Sequence, residues 1–227
     1  MENQENQKQK EYPITNSSKK GVEVSFDKST NDHYITCPND RDVFWVFEMT
    51  KRDGVLTKYA TKMPTEDPSI ARFVVYHENL KTPQAVAEFN GKVDQARNLN
   101  IAINQERNYL KDYMHQKMPK SENGLPNVLI VTPTKKENGY FTGEVLRTGK
   151  YHAVIDSGYK ENTKVDVETP EGKKTIDANV QFIKMVKVQR MLTSEQLKDR
   201  EKSIAEVLPI GRKIYVTFNK ENGKMDV

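Results

Sequence analysis

The stretch from Gly139 to Val188 limits the architecture more than any other part of the chain. It reads GYFTGEVLRTGKYHAVIDSGYKENTKVDVETPEGKKTIDANVQFIKMVKV, short alternating apolar runs broken by Gly, Asn and Pro. A side-chain period of two with turn residues at such intervals specifies a small, strongly curved antiparallel sheet. The expected strands are Tyr140–Arg147, Lys150–Asp156, Thr163–Glu168, Lys174–Ala178 and Gln181–Val188. Val128–Val131 leads into them, and Pro170, Glu171 and Gly172 form a turn between two of them. Short strands so close together favour a small SH3-like barrel, because closure removes unpaired edges. Gly139 and Gly143 lie in a strand context, where glycine marks a bulge or a bend.

The N-terminal half reads differently. Residues 1–20 are rich in Gln, Asn, Lys and Ser and bury too little to offset ordering entropy, so they read as a disordered tail. Residues 21–120 read as an antiparallel meander followed by a long helix. Its strands are Val22–Phe26, Tyr34–Cys37, the dense apolar run Val43–Phe47, Val55–Ala60 and Arg72–His77. Asp53-Gly54 is a hairpin signal joining two of them. The helix is expected over 83–117, with Thr82 as N-cap and Pro83 in the first turn. Its apolar stripe runs Val86, Phe89, Val93, Ala96, Ile103, Leu110 and Met114, interrupted by Asn100 and Arg107. Asn90-Gly91 is a point where it can break or kink.

The Gly- and Pro-containing segment 121–127 is the expected boundary, with the small β module over 128–227. That module closes with a helix capped by Thr193 and Gln196, whose apolar side is Leu197, Ile204, Val207 and Leu208, and a last strand Lys213–Phe218. The chain ends soon afterwards, as a piece of a longer protein would. The fold class is therefore α+β in two modules.

Composition narrows the function classes. No run approaches the ~20 apolar residues of a membrane span, and the start MENQENQKQK has no apolar core of a secretory signal. Cys37 is the 1 cysteine, so no intramolecular disulfide forms and a cytoplasmic setting is expected. The net charge of +4 is unevenly spread. Residues 1–127 hold 18 cationic and 18 acidic side chains, whereas 128–190 hold 11 and 8, so the excess sits on the β module. That excess permits contact with phosphates without demanding it.

Chemistry-bearing constellations are sparse. His33, His77, His115 and His152 show no metal-binding spacing. His33 and Cys37 share a strand face, but two ligands do not complete a site, and Cys37 reads as a small apolar residue. His152, Asp156 and Ser157 lie close enough for a base oriented by a carboxylate, yet Asp156-Ser157-Gly158 also reads as a strand-ending turn. There is no phosphate-binding glycine loop. No catalytic residue, metal or cofactor is implied.

One pattern carries a binding chemistry. Lys135 and Lys136 precede Tyr140; Arg147, Lys150 and Tyr151 flank a turn; Lys184, Lys187 and Arg190 follow at intervals of three, with no acid between Val180 and Arg190. Cations interleaved with rings suit single-stranded nucleic acid, whose bases stack and whose phosphates pair. The same alternation also serves a plain solvated or protein-binding face.

Gly139–Leu146 followed by Tyr151–Ile155 resembles the opening "G-x-[YF]-x-G-x-[VIL]-[VIL]" and the "hxVh" strand of the KfrB-type small β domain. Asp156 stands where a Gln commonly follows that strand. The resemblance implies an accessory protein of a plasmid or conjugative element and a non-enzymatic role. The expected function is thus an accessory binding protein of a mobile genetic element, contacting nucleic acid or an acidic partner through the basic β module. The other expectation is a protein–protein inhibitor or adaptor acting on a host protein through the 83–117 helix or the sheet edges.

Overall fold

The computed structural model describes residues 21–48, 60–117, 128–131, 139–169, 171–219 and 224–227. Helices and largely antiparallel sheets make the chain an α+β protein. It divides into two compact units, Met1–Ala102 and Ile103–Val227. The expected tail 1–20, the Asp53-Gly54 turn with most of strand 55–60, and the 121–127 boundary all lie outside the described residues.

The first unit begins with the hairpin β1 (Glu23–Asp27) and β2 (Asp32–Pro38), followed by α1 (Arg41–Glu48), β3 (Thr61–Met63), β4 (Ile70–Val75) and α2 (Pro83–Lys117). Its antiparallel sheet has the order β1-β2-β4-β3. Ile35, Phe73 and Val75 are fully buried in it. The division between the units falls within α2, which runs unbroken through Asn90-Gly91. Thr82 caps this helix as expected, its hydroxyl accepting from the Ala85 N–H at 3.1 Å. Phe89, Val93, Ala96, Ile103, Leu110 and Met114 of the expected stripe are buried, as is Asn100, whereas Val86 is exposed.

Val43–Phe47 is not a strand but the body of α1. Asp40 decides this locally. Its carboxylate accepts from the Asp42 N–H at 3.0 Å and its carbonyl from the Phe44 N–H at 2.9 Å, which starts the helix and satisfies an orphan donor. A continuous apolar run of this length has no period of its own. Wound as a helix it buries Val43, Phe44, Val46 and Phe47. Phe44 and Phe47 meet Phe73 with ring centroids 6.3 and 5.9 Å apart.

The second unit contains β5 (Val128–Val131), β6 (Tyr140–Thr148), β7 (His152–Thr169), β8 (Gly172–Lys187), α3 (Val188–Met191), α4 (Arg200–Val207), β9 (Lys213–Phe218) and β10 (Met225–Asp226). Its sheet has the order β10-β9-β6-β7-β8-β5 and is curled into a half-barrel. Among the described residues no pairing joins β10 to β5, so the edges stay open. The β5–β8 pair is parallel and the others are antiparallel.

Four expected short strands are two long ones. Asp156-Ser157-Gly158, which reads as a turn, is a bulge. The register with β8 slips between Asp156 and Lys160, Gly158 takes a φ of 68°, and β7 continues. Asn179 interrupts nothing, because it pairs with Asn162 within the ladder. The expected strand end at Val188 instead turns into α3. Gly143 has a different reason for being glycine: a Cβ there would lie 2.7 Å from the Asp156 carbonyl oxygen and 2.5 Å from Ile155. β6 and β7 approach closely here.

On one face of this sheet Val154, Ile183 and Met185 pack with Leu110 and Met114 of α2. After α3 the capping box forms as expected, Thr193 N–H to Gln196 Oε1 at 2.8 Å and Gln196 N–H to Thr193 Oγ1 at 3.2 Å. It starts a 3-10 turn (Gln196–Asp199), and Asp199 then caps α4 by accepting from the Lys202 N–H.

Candidate functional site

In the second unit β6, β7, β8 and β5 together shape an open cleft of about 520 Å³. Phe141, Thr142 and Tyr140 line it from β6, Ser157 and Tyr159 from β7, and Phe182, Lys184 and Val131 from β8 and β5. Phe182 and Lys184 point away from the face on which Ile183 and Met185 meet α2, and Phe141 shares their face, whereas alternation puts Tyr140 and Thr142 on the opposite one. The Lys184 ammonium lies 4.9 Å from the centre of the Phe141 ring, a cation–π contact. Tyr159 and Phe182 are 5.6 Å apart at 47°. At the rim Tyr140 stacks on Tyr215 of β9, 5.0 Å apart and 24° from parallel. Tyr140, Tyr159 and Tyr215 are 66%, 56% and 52% exposed, far more than rings in a core. Hydrogen bonding to Glu161, whose carboxylate accepts from its hydroxyl at 3.0 Å, raises the pKa of Tyr159 above its ordinary value.

A second cluster sits at the other end of β6, around the turn that joins it to β7. Glu106 of α2 enters a nest of backbone donors, accepting from the N–H groups of Lys150 at 2.7 Å, Tyr151 at 2.9 Å and His152 at 2.8 Å. His152 Nδ1 adds a contact at 3.2 Å. Burial pushes the Glu106 carboxyl upward, but the bonds from His152 and the three N–H groups outweigh it and hold the group below its ordinary value. Gly149 makes room for this, since a Cβ there would fall 2.5 Å from the carboxylate carbon. Arg147 stacks over Tyr113 at 4.1 Å and donates to the Tyr109 hydroxyl at 3.3 Å. Arg200 lies 5.4 Å over the Tyr151 ring.

The residues singled out from sequence therefore fall into separate places. Tyr140 and Lys184 both line the cleft, from opposite faces of the sheet. Arg147, Lys150 and Tyr151 cluster near Glu106, and Lys187 pairs with His152 in the ladder next to them. Arg190 belongs to α3, its guanidinium 5.0 Å over Phe218 and pulled below its ordinary pKa by burial. Lys135 and Lys136 lie outside the described residues. Tyr159, Phe182, Tyr215 and Glu106 were missed. Tyr215 was readable, because Lys213–Phe218 alternates and places Tyr215 opposite Ile214 and Val216; Glu106 carries no signal in the sequence beyond flanking a stripe.

The other candidates resolve into structural roles. His152 is buried against Glu106. Asp156 accepts from the Gly158 N–H at 2.7 Å and from Gln181 Nε2 at 2.6 Å, and the Ser157 hydroxyl donates to the Phe182 carbonyl at 3.3 Å. Burial, then Asp40, push the Cys37 thiol up to about 12, so it is not a ready nucleophile. His33 lies between the rings of Phe26 and Phe89, at 4.8 and 5.6 Å. Among the described residues no three His, Cys, Asp or Glu side chains form a metal-holding group, and no helix is long and apolar enough to cross a membrane. No protein-family model, curated protein or solved structure matches the chain.

Proposed function

We propose that the protein is a non-enzymatic accessory binding protein whose second unit contacts nucleic acid through its curled sheet. The observation that supports this reading is the set of exposed rings Tyr140, Tyr159 and Tyr215 on the sheet whose cleft Lys184 lines. Three large rings held at a surface lose hydrophobic burial, and such a surface is characteristic of a site that stacks on a planar ligand. The resemblance of Gly139–Ile155 to the KfrB-type domain supports a plasmid or conjugative-element setting and a small-barrel ancestry for the half-barrel.

Phosphate contacts release counterions, so the test is the salt dependence of oligonucleotide affinity. Binding is expected to weaken steeply between about 50 and about 200 mM salt and to weaken further in Lys184→Glu/Lys187→Glu. Salt-independent affinity, or affinity unchanged in that variant, contradicts the proposal. A second reading, an adaptor that docks a protein through α2, is favoured by Val86 and Ile101, which stand 40% and 51% exposed on that helix. It predicts a salt-tolerant complex that Ile101→Glu abolishes.

A further inference from the structure

We infer that Arg147 holds a backbone phosphate of bound nucleic acid on the sheet face that carries the end of α2, an inference that rests on the nucleic-acid reading above. Arg147 stands opposite Val154 in the ladder, and Val154 and Met185 pack with Leu110 and Met114 of α2. On that face the guanidinium meets the rings of α2, 4.1 Å from the centre of Tyr113 and 5.8 Å from that of Tyr109. A guanidinium carries five N–H donors. Among the described residues Arg147 donates through Nη2 to the Tyr109 hydroxyl at 3.3 Å and has no carboxylate partner. The carboxylate at this end of β6 is committed elsewhere, since Glu106 accepts from the N–H groups of Lys150, Tyr151 and His152 and meets His152 Nδ1. Lys150 of the same turn is exposed and makes no ion pair among the described residues.

A half-buried cation with most of its donors unspent is suited to a phosphate. The planar fork of arginine matches two phosphate oxygens, which a lysine ammonium cannot do. Stacking on Tyr113 orders the fork in the free protein, so less freedom is lost on binding. Alternation extends the same face along β6. Tyr140, Thr142 and Glu144 are exposed on it, in register with Thr217, Tyr215 and Lys213 of β9. Glu144 is also opposite Asp156, two residues from Val154 on β7, so the Tyr140–Tyr215 stack and Arg147 share one side of the sheet. The stretch of β6 between them is on the order of 20 Å long, about six steps of a stacked strand. Glu144 on this stretch has Lys213 directly across from it.

The experiment measures anisotropy of fluorescein-labelled oligothymidylate, oligouridylate and a DNA duplex, each about twelve nucleotides long, between about 50 and about 200 mM salt. The probe bound most tightly carries the comparison. Arg147→Gln is expected to weaken it ~10-fold or more. It is also expected to lower the slope of log affinity against log salt by about 0.7 on a single strand or about 0.9 on duplex, the share of one phosphate. Arg147→Lys is expected to return the slope to the wild-type value with only part of the affinity, because it restores the charge and not the fork. A purely structural role leaves the slope unmoved. Arg147→Met keeps the stem against the rings and reads the same loss where Arg147→Gln fails to fold. Lys164→Gln removes an equal charge from the exposed part of the β7–β8 hairpin and is expected to change neither quantity. A wild-type slope in Arg147→Gln or Arg147→Met, or an equal change in Lys164→Gln, overturns the role of Arg147 and leaves the nucleic-acid reading standing. Absence of binding to all three probes at about 50 mM salt removes both.

Discussion

The two units handle aromatic side chains in opposite ways. In the first, Phe44, Phe47 and Phe73 are buried together, and the helix α1 exists because winding Val43–Phe47 puts its rings against the sheet. In the second, Tyr140, Tyr159 and Tyr215 stay exposed, while the sheet's burial is supplied by aliphatic residues such as Val145, Val154, Ile155 and Ile183. A ring's contribution to stability comes from burial, so rings left at a surface contribute little of it. The comparison assigns stability to the buried ring set and the proposed binding to the exposed one.

The largest expected effect tests the stability side. Phe73→Ala is expected to cost about 3–5 kcal/mol in urea unfolding followed by the fluorescence of Trp45, and Tyr140→Ala to stay within about 0.5 kcal/mol. A Tyr140→Ala cost rivalling that of Phe73→Ala would make Tyr140 a core ring and erase the contrast. Glu106→Gln comes next, about 1–3 kcal/mol, because charge-assisted bonds from three N–H groups weaken together. Gly143→Ala is expected to cost about 1–3 kcal/mol through the clash with the Asp156 carbonyl, measurable as a lowered urea midpoint at unchanged slope.

The smallest effect is acid sensitivity, and it separates the units. Burial, partly opposed by Asp32, holds the His33 imidazole below its ordinary value of 6.5. The unfolded chain then binds the extra proton first, so stability of the first unit falls as pH drops below 6.5 towards the folded value. Glu106 is held below its ordinary value of 4.5, so its contribution is full above 4.5 and is lost as pH falls through the lower folded value. His33→Gln is expected to flatten the first loss and Glu106→Gln the second. A first-unit pH profile unchanged by His33→Gln removes that residue as its source.

What the sequence disclosed follows the same division. The period of two in Tyr140–Val145 and Lys213–Phe218, the Thr82 cap and the Thr193–Gln196 box were all legible, because each is a local rule that tertiary structure left alone; beyond Val145 a register shift against β7 breaks the alternation. Val43–Phe47 was misread because its periodicity is silent and Asp40, three residues upstream of Val43, decides the outcome. Asp156–Gly158 was misread because a bulge and a turn use the same residues, and only the partner strand distinguishes them. Lys184 was picked out by type, but its meeting with Phe141 across β6 and β8 depends on strand order, which no short window of sequence encodes. Glu106 meets the turn at 150–152 across more than forty residues of chain, a contact without a local signature.

The most direct test of the contrast is a two-dimensional amide NMR titration of the protein with oligothymidylate. The account predicts chemical-shift changes concentrated at Tyr140, Phe141, Tyr159, Phe182, Lys184 and Tyr215, with Ile35, Val43 and Phe73 unmoved. Shifts centred on the first unit, or a saturating titration that leaves the cleft residues still, would contradict it.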